Sequence, residues 1–306
     1  MSITRRTVLA SFAMAPAILR AQPRGERLPI SFSTLGCPKW PWAKVLEQAS
    51  ALGYQGIELR GLEGEMDLTK RPEFSALRIA ETRRSLADRG LVVSDLGASA
   101  KMHERDPAKR AAQLDEAHRF INLAHDLGVP WIRVFPDEYL PDESHESTQQ
   151  RIGETLAQLG TFANGSGVGV LMESHGTLTD SPSIVAIMKA ADGAPNVGLV
   201  WDTHHTVVEG HEKPADTWAA LGKWVHHTHI KDSVAQGDDR HYVLLGQGTV
   251  GVQAIVQALV QGGYDGFFGL EWEKAWHPDI DEPEVAFPQY IETMKKWLQD
   301  ASPGAA

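Results

Sequence analysis

Four residues able to bind a metal stand at the same place in four similar phrases of the sequence. Val170-Leu171-Met172 ends in Glu173, Leu199-Val200-Trp201 in Asp202, His227-Thr228 in His229, and Phe268-Gly269-Leu270 in Glu271. Runs of this composition favour β-strands, and a strand that closes on a polar residue delivers that residue to the end of a sheet. One Asp or Glu in such a place is usually a helix cap or an ion-pair partner. A cluster of them is costly unless something positive neutralises it, because like charges a few ångströms apart resist ionising together. A single divalent cation is the simplest answer. Three oxygen donors and one imidazole nitrogen suit Mn2+, the first expectation, and admit Mg2+, Co2+ or Zn2+, with coordination positions left open for substrate oxygens.

The elements that must bring these four together follow a repeated phrase from residue 28 onward: an amphipathic stretch, a glycine, one to three residues, then an apolar run. Leu52-Gly53-Tyr54-Gln55-Gly56-Ile57, Gly90-Leu91-Val92-Val93, Leu127-Gly128-Val129-Pro130-Trp131-Ile132 and Gly263-Tyr264-Asp265-Gly266-Phe267-Phe268 are instances. Each glycine suits a helix end, and each following run suits a strand. Strands are expected near 29–35, 56–60, 91–97, 131–135, 168–173, 197–202, 224–230 and 267–271. Helical stripes lie between them, such as Leu114, Ala117, Ile121 and Ala124, or Phe287, Ile291, Met294 and Leu298. Strands alternating with helices imply parallel pairing, and eight such units close a (β/α)8 barrel. The expected α/β fold is one such TIM barrel over 28–299, with 300–306 as a loose tail. An open doubly wound sheet is the alternative, weakened by the absence of Gly-x-Gly-x-x-Gly after the first strand. In a barrel the site lies at the C-terminal ends of the strands, where the four residues would share one rim.

The composition narrows the class of partner. A formal charge of -11 over 306 residues disfavours nucleic acid, which selects a basic face. No run of 18 apolar residues suggests a membrane span. The expected partner is a small molecule, with self-association left open. Residues 1–22 read as a signal peptide of the twin-arginine type: Arg5 and Arg6 precede an apolar run from Val8 to Leu19, followed by the small residues of a cleavage site. Ala10 departs mildly from that pattern. Export to the periplasm is expected, in an already folded state that would let the cytoplasm decide which metal is loaded. The single cysteine, Cys37, rules out an internal disulfide.

Further motifs carry a resemblance. Phe32-Ser33-Thr34-Leu35-Gly36, Asp202-Thr203-His204-His205, His227-Thr228-His229-Ile230-Lys231-Asp232, Gly246-Gln247-Gly248 and Glu271-Trp272-Glu273, taken with Glu173, make the chain similar to the xylose isomerase-like barrel superfamily. That superfamily comprises sugar isomerases and epimerases such as tagatose 3-epimerase, and related lyases such as inosose dehydratase. The resemblance covers residues 28–299. It implies a metal held by Glu173, Asp202, His229 and Glu271, and His205 in contact with substrate or metal. It also implies proton transfer α to a carbonyl through a metal-bound enediolate, with Glu173 and Glu271 as the acid/base pair. The substrate would be a sugar or keto-sugar. An alternative within the fold is a keto-sugar dehydratase or lyase, or an enzyme cleaving 3-keto-glycosides. Endonuclease IV, also related, is disfavoured by the acidic charge, and a non-catalytic exported sugar-binding protein would leave the two glutamates without a purpose.

Other polar residues are candidates to line the pocket. His227, two before His229, faces the same side of its strand and is expected to support a metal ligand. Lys231, Arg240 and His241, expected on a long loop after strand seven, are candidates to grip substrate, as are His175 and His103. Arg133, Glu58 and Arg60 read as an ion-pair set across the barrel. Trp201, Trp272 and Trp276 suit either sugar stacking or packing.

Overall fold

Alternation of helix and strand is what the computed structural model shows, over the residues it describes, 28–237 and 239–301. Ten strands occur: β1 (Ile30–Ser33), β2 (Gly56–Leu59), β3 (Val92–Lys101), β4 (Trp131–Phe135), β5 (Gly169–Glu173), β6 (Val197–Asp202), β7 (Val225–Ile230), β8 (Asp232–Gln236), β9 (Asp239–Val243) and β10 (Phe267–Leu270). Eight of them close a barrel in the order β1-β10-β7-β6-β5-β4-β3-β2. All eight neighbouring pairs are parallel. Closure excludes the open doubly wound sheet, and every expected strand is present. The remaining two, β8 and β9, form a separate antiparallel hairpin where a loop was expected.

Nine α-helices are described: α1 (Trp42–Leu52), α2 (Ile79–Ala87), α3 (Pro107–Leu127), α4 (His145–Ala163), α5 (Ser181–Ala190), α6 (Thr203–Val208), α7 (Pro214–Leu221), α8 (Val252–Gln261) and α9 (Pro283–Ala301). Their ends are set locally. Asp106 caps α3 by accepting from the Ala108 and Lys109 amides, with Pro107 in the first turn where no amide is needed. Gly53 and Gly128 stop α1 and α3 at φ +85° and +75°, a region that disfavours side chains. Helix α9 buries the expected stripe of Phe287, Ile291, Met294 and Leu298 against the barrel wall. It runs through Ala301, two residues into the stretch expected as a tail. The expected signal, 1–22, lies outside the described residues, as do 302–306.

Among the described residues no helix is long and apolar enough to cross a membrane. Cys37 is buried, and burial pushes its thiol far above the usual range.

Candidate active site

The barrel register sets the rim. Asp202 pairs with His229 across β6 and β7, and Glu173 pairs with Val200 across β5 and β6. Glu271 immediately follows β10, whose Leu270 pairs with Ile230. One ligand atom from each of Glu173, Asp202, His229 and Glu271 lies within 4.8 Å of all the others. Bonds of about 2.2 Å to one cation place opposite ligands roughly 4.4 Å apart, so the set fits a single divalent ion. The four side chains are almost wholly removed from solvent.

Each group keeps an atom for the centre while another is tied to the scaffold. Asp202 Oδ1 caps α6, accepting from the His204 and His205 amides at 2.9 and 3.1 Å. Its Oδ2 accepts no hydrogen bond, and sits 2.8 Å from Lys231 Nζ. His229 Nδ1 lies 3.3 Å from both Glu173 Oε1 and Glu271 Oε1. Its Nε2 is 2.7 Å from Glu58 Oε2. A proton on Nε2 donated to Glu58 leaves the Nδ1 lone pair pointing at the cluster, the usual way a carboxylate orients a histidine ligand. Glu173 Oε2 faces Arg133 Nε at 3.0 Å.

The charges sort themselves accordingly. Burial alone would raise the Glu173 carboxyl, but His229 and Arg133 hold it well below the usual carboxylate range. Burial dominates at Glu271 and raises it, against the pull of His229 and Lys231. Burial opposes a charge on His229, yet Glu271, Glu58 and Glu173 together hold its pKa well above the ordinary value.

Beneath the four lies a buried string that the sequence did not reveal. His227 Nε2 is 3.3 Å from Glu58 Oε2 and 3.5 Å from Asp95 Oδ1. His227 therefore meets the same Glu58 carboxylate as His229, in keeping with the supporting place expected of it. Burial pushes Asp95 up to about 6 against the pull of His227. Glu58 and Arg133 are not partners of each other: Glu58 serves the histidines and Arg133 serves Glu173. Only the inward register of β2 and β3, not spacing, could have signalled Glu58 and Asp95.

The other candidates divide between the rim and elsewhere. His205 Nδ1 donates to the Ser174 carbonyl at 2.9 Å and stands 3.4 Å from Asp202 Oδ2, which leaves its Nε2 free to accept. His175 packs between Phe135 and His205, with ring centroids 4.4 and 5.4 Å away, and its Nδ1 is 3.4 Å from Asp137 Oδ1. Lys231 is fully buried and reaches Asp202 at 2.8 Å and Glu271 and Glu273 at 2.5 Å each. It donates to Glu271 and Glu273 and pairs with Asp202, so it orients Glu271 rather than gripping a substrate. His103 lies one sector away, beside the Pro136 carbonyl at 3.2 Å and near Glu138.

Arg240 and His241 correct the expectation of a loop, because both sit on β9. Arg240 Nε donates to Ser233 Oγ at 2.9 Å, and the same hydroxyl meets His204 Nε2 at 2.7 Å, so Ser233 fastens the hairpin to α6 and the arginine braces it. His241 faces Asp279 at 3.6 Å, outside the cluster. Asp232 explains the glycine motif: its carboxylate accepts from the Gly246 and Gly248 amides at 3.0 Å each, and a Cβ on Gly248 would lie 1.9 Å from its Oδ1. Trp201 and Trp272 are packing residues whose indoles donate to Thr206 and the Asp281 carbonyl, whereas Trp276 is exposed.

Known proteins share this frame. L-Ribulose-5-phosphate 3-epimerase UlaE of Escherichia coli is 24% identical over 256 residues, covering 80% of this chain and 86% of UlaE. The crystal structure of the probable 3-DHS dehydratase AsbF from Bacillus anthracis aligns with a TM-score of 0.70 at 20% identity, over 87% of this chain and 99% of that one. That of the 3-keto-D-glucoside 4-epimerase YcjR from E. coli aligns with a TM-score of 0.69 at 17% identity, over 88% and 100%. The family model for xylose isomerase-like TIM barrels matches residues 46–299. With the closed barrel and its rim, that match shows that the chain belongs to the xylose isomerase-like TIM barrel family.

Proposed function

We propose that this barrel is a divalent-metal-dependent sugar isomerase or epimerase that moves a proton next to a carbonyl. The observation that carries the reading is the meeting of Glu173, Asp202, His229 and Glu271 within 4.8 Å at the ends of four neighbouring strands. A divalent cation held by these four, with Mn2+ the first choice, supplies Lewis-acid polarisation of neighbouring substrate oxygens. The protein's own groups do the rest. Glu173 and Glu271 approach His229 Nδ1 from different strands, so a carbon seated beside the cluster has a carboxylate on each side. Glu173, kept ionised by Arg133, is suited to take a proton. Glu271, held by Lys231 on the other side, is suited to return it. Lys231 holds Glu271 in place, and His205 presents Nε2 to a substrate hydroxyl. The names of UlaE and YcjR, both epimerases of sugar derivatives, support this reading.

His175 favours elimination as a second reading. Its burial opposes a charge, but Asp137 and Glu173 outweigh that and raise its pKa, so a proton donor stands two residues beyond Glu173. AsbF, a probable dehydratase by name, shows the fold hosting such chemistry. One experiment separates the readings: incubation with Mn2+ and a panel of ketoses and 3-keto-glycosides in D2O, followed by mass spectrometry. Isomerisation or epimerisation is expected to give products of unchanged formula carrying one deuterium on carbon. Loss of water or aglycone would favour elimination, and no exchange across the panel would reject both. Glu173→Gln and Glu271→Gln are each expected to lower turnover by about 10²- to 10⁴-fold with an unchanged circular dichroism spectrum.

A further inference from the structure

Two arginines share the wall beside Glu173, and only one of them has a partner. Arg133 points inward from β4, with Nε 3.0 Å from Glu173 Oε2 and Nη1 donating to the Ala98 carbonyl at 2.9 Å. Arg60, just past the end of β2 on the same rim, is 8% exposed. Among the described residues nothing accepts a hydrogen bond from Nη1 of Arg60, and no carboxylate lies within ion-pair distance of it. Its guanidinium stands over the face of Phe135, 5.8 Å away, on which Arg133 also sits at 3.9 Å, and it feels Glu173, Glu58 and Glu271 through space without pairing with any of them. The two side chains crowd over Gly97: a Cβ there would lie 2.6 Å from Arg60 Cδ and 2.8 Å from Arg133 Nη2. Gly97 has no positive φ, so its backbone does not need glycine; the space taken by the arginines does.

A buried guanidinium next to another guanidinium is costly unless an anion meets it. Burial and Arg133 lower the Arg60 pKa to about 10 against the pull of Glu173, Glu58 and Glu271, which still leaves it charged at neutral pH. The scaffold has thus kept a cation beside Arg133 on the rim, with an unmet donor. We propose that Arg60 receives a carboxylate carried by the substrate, so that this enzyme acts on an acidic sugar rather than a neutral one. A carboxylate is favoured because Nη1 lacks an acceptor and because the planar fork of a guanidinium matches the planar carboxylate. Phe135 and His175, in ring contact, continue the same wall from the arginines to the acid/base pair, so an anion at Arg60 would place the adjoining carbons beside Glu173. This inference rests on the sugar-enzyme reading above, and deepens it by naming a substrate class.

The test is calorimetric titration of the purified full-length protein, in the presence of Mn2+, with D-glucose, D-glucuronate and D-glucose 6-phosphate, and with the corresponding D-galactose and D-galacturonate pair. The expected result is that at least one uronate binds about tenfold or more tightly than its neutral sugar, the scale of one charge-assisted pair. Arg60→Gln is expected to remove that preference, and Gly97→Ala, which displaces the guanidinium without straining the backbone, to weaken it. Mn2+ binding, followed by electron paramagnetic resonance, is expected to stay unchanged in Arg60→Gln. Absence of a uronate preference in the wild-type protein, its survival in Arg60→Gln, or tighter binding of the phosphate would overturn the proposal. Normal Mn2+ binding in those same samples would leave the metal-site reading standing, whereas absent Mn2+ binding would count against that reading itself.

Discussion

Asp202 shows how one residue serves fold and site at once. Oδ1 caps α6 while Oδ2 is left without a hydrogen bond, so an aspartate that caps a helix after a strand can also offer an oxygen to the centre. Asparagine can still cap a helix, and alanine cannot. Asp202→Ala is therefore expected to unfold about 1 kcal/mol more easily than Asp202→Asn, measured by urea titration without metal, while both variants lose Mn2+ affinity. Equal stability of the two would show that the cap is unimportant. Glu58→Gln is expected to weaken Mn2+ binding by about 10- to 100-fold, because the carboxylate that orients His229 is replaced by an amide. At this scale the sequence exposed the four strand-end residues, since each closes an apolar run. It hid Glu58 and Asp95, whose partners lie on the far side of the barrel: Glu58 and His229 are 171 residues apart, and nothing local distinguishes such a pair from an internal ion pair.

At the scale of elements, the hairpin of β8 and β9 and the loop behind it complete the rim over β7. Asp232 holds that loop by its backbone, and Gly248 is small so that the carboxylate can enter. Gly248→Ala is expected to cost roughly 1–3 kcal/mol through overpacking, read as a lowered midpoint in urea, and to reduce activity by loosening Lys231 next door. A variant as stable as the parent would show that the loop is not held in this way. The eight barrel strands were readable because parallel strands buried on both faces are near-continuous apolar runs. The hairpin was not, since Asp232–Gln236 and Asp239–Val243 are short and polar. The glycine-aspartate pair at 237 and 238 between them was the available signal, and Gly237 does take φ +64°.

The whole molecule is an acidic barrel that buries a set of carboxylates at the strand ends and answers them with Arg133, Lys231 and His229. If a cation completes that balance, its binding is linked to folding: Mn2+ at about 100 times its dissociation constant is expected to add about 2.7 kcal/mol of stability, which a chelator removes. Ahead of the barrel, the twin-arginine signal proposed for residues 1–22 implies export; exchanging Arg5 and Arg6 for lysine is expected to leave the uncleaved chain in the cytoplasm on cell fractionation. Everything proposed about chemistry depends on the four-residue centre. Its most direct test is elemental analysis of the protein after loading with Mn2+ and gel filtration into metal-free buffer, beside a Glu173→Gln, Asp202→Asn double variant. One ion per chain in the wild-type protein and none in the double variant is the expected result. A wild-type protein that emerges without metal, or a double variant that retains as much as the parent, would contradict the account.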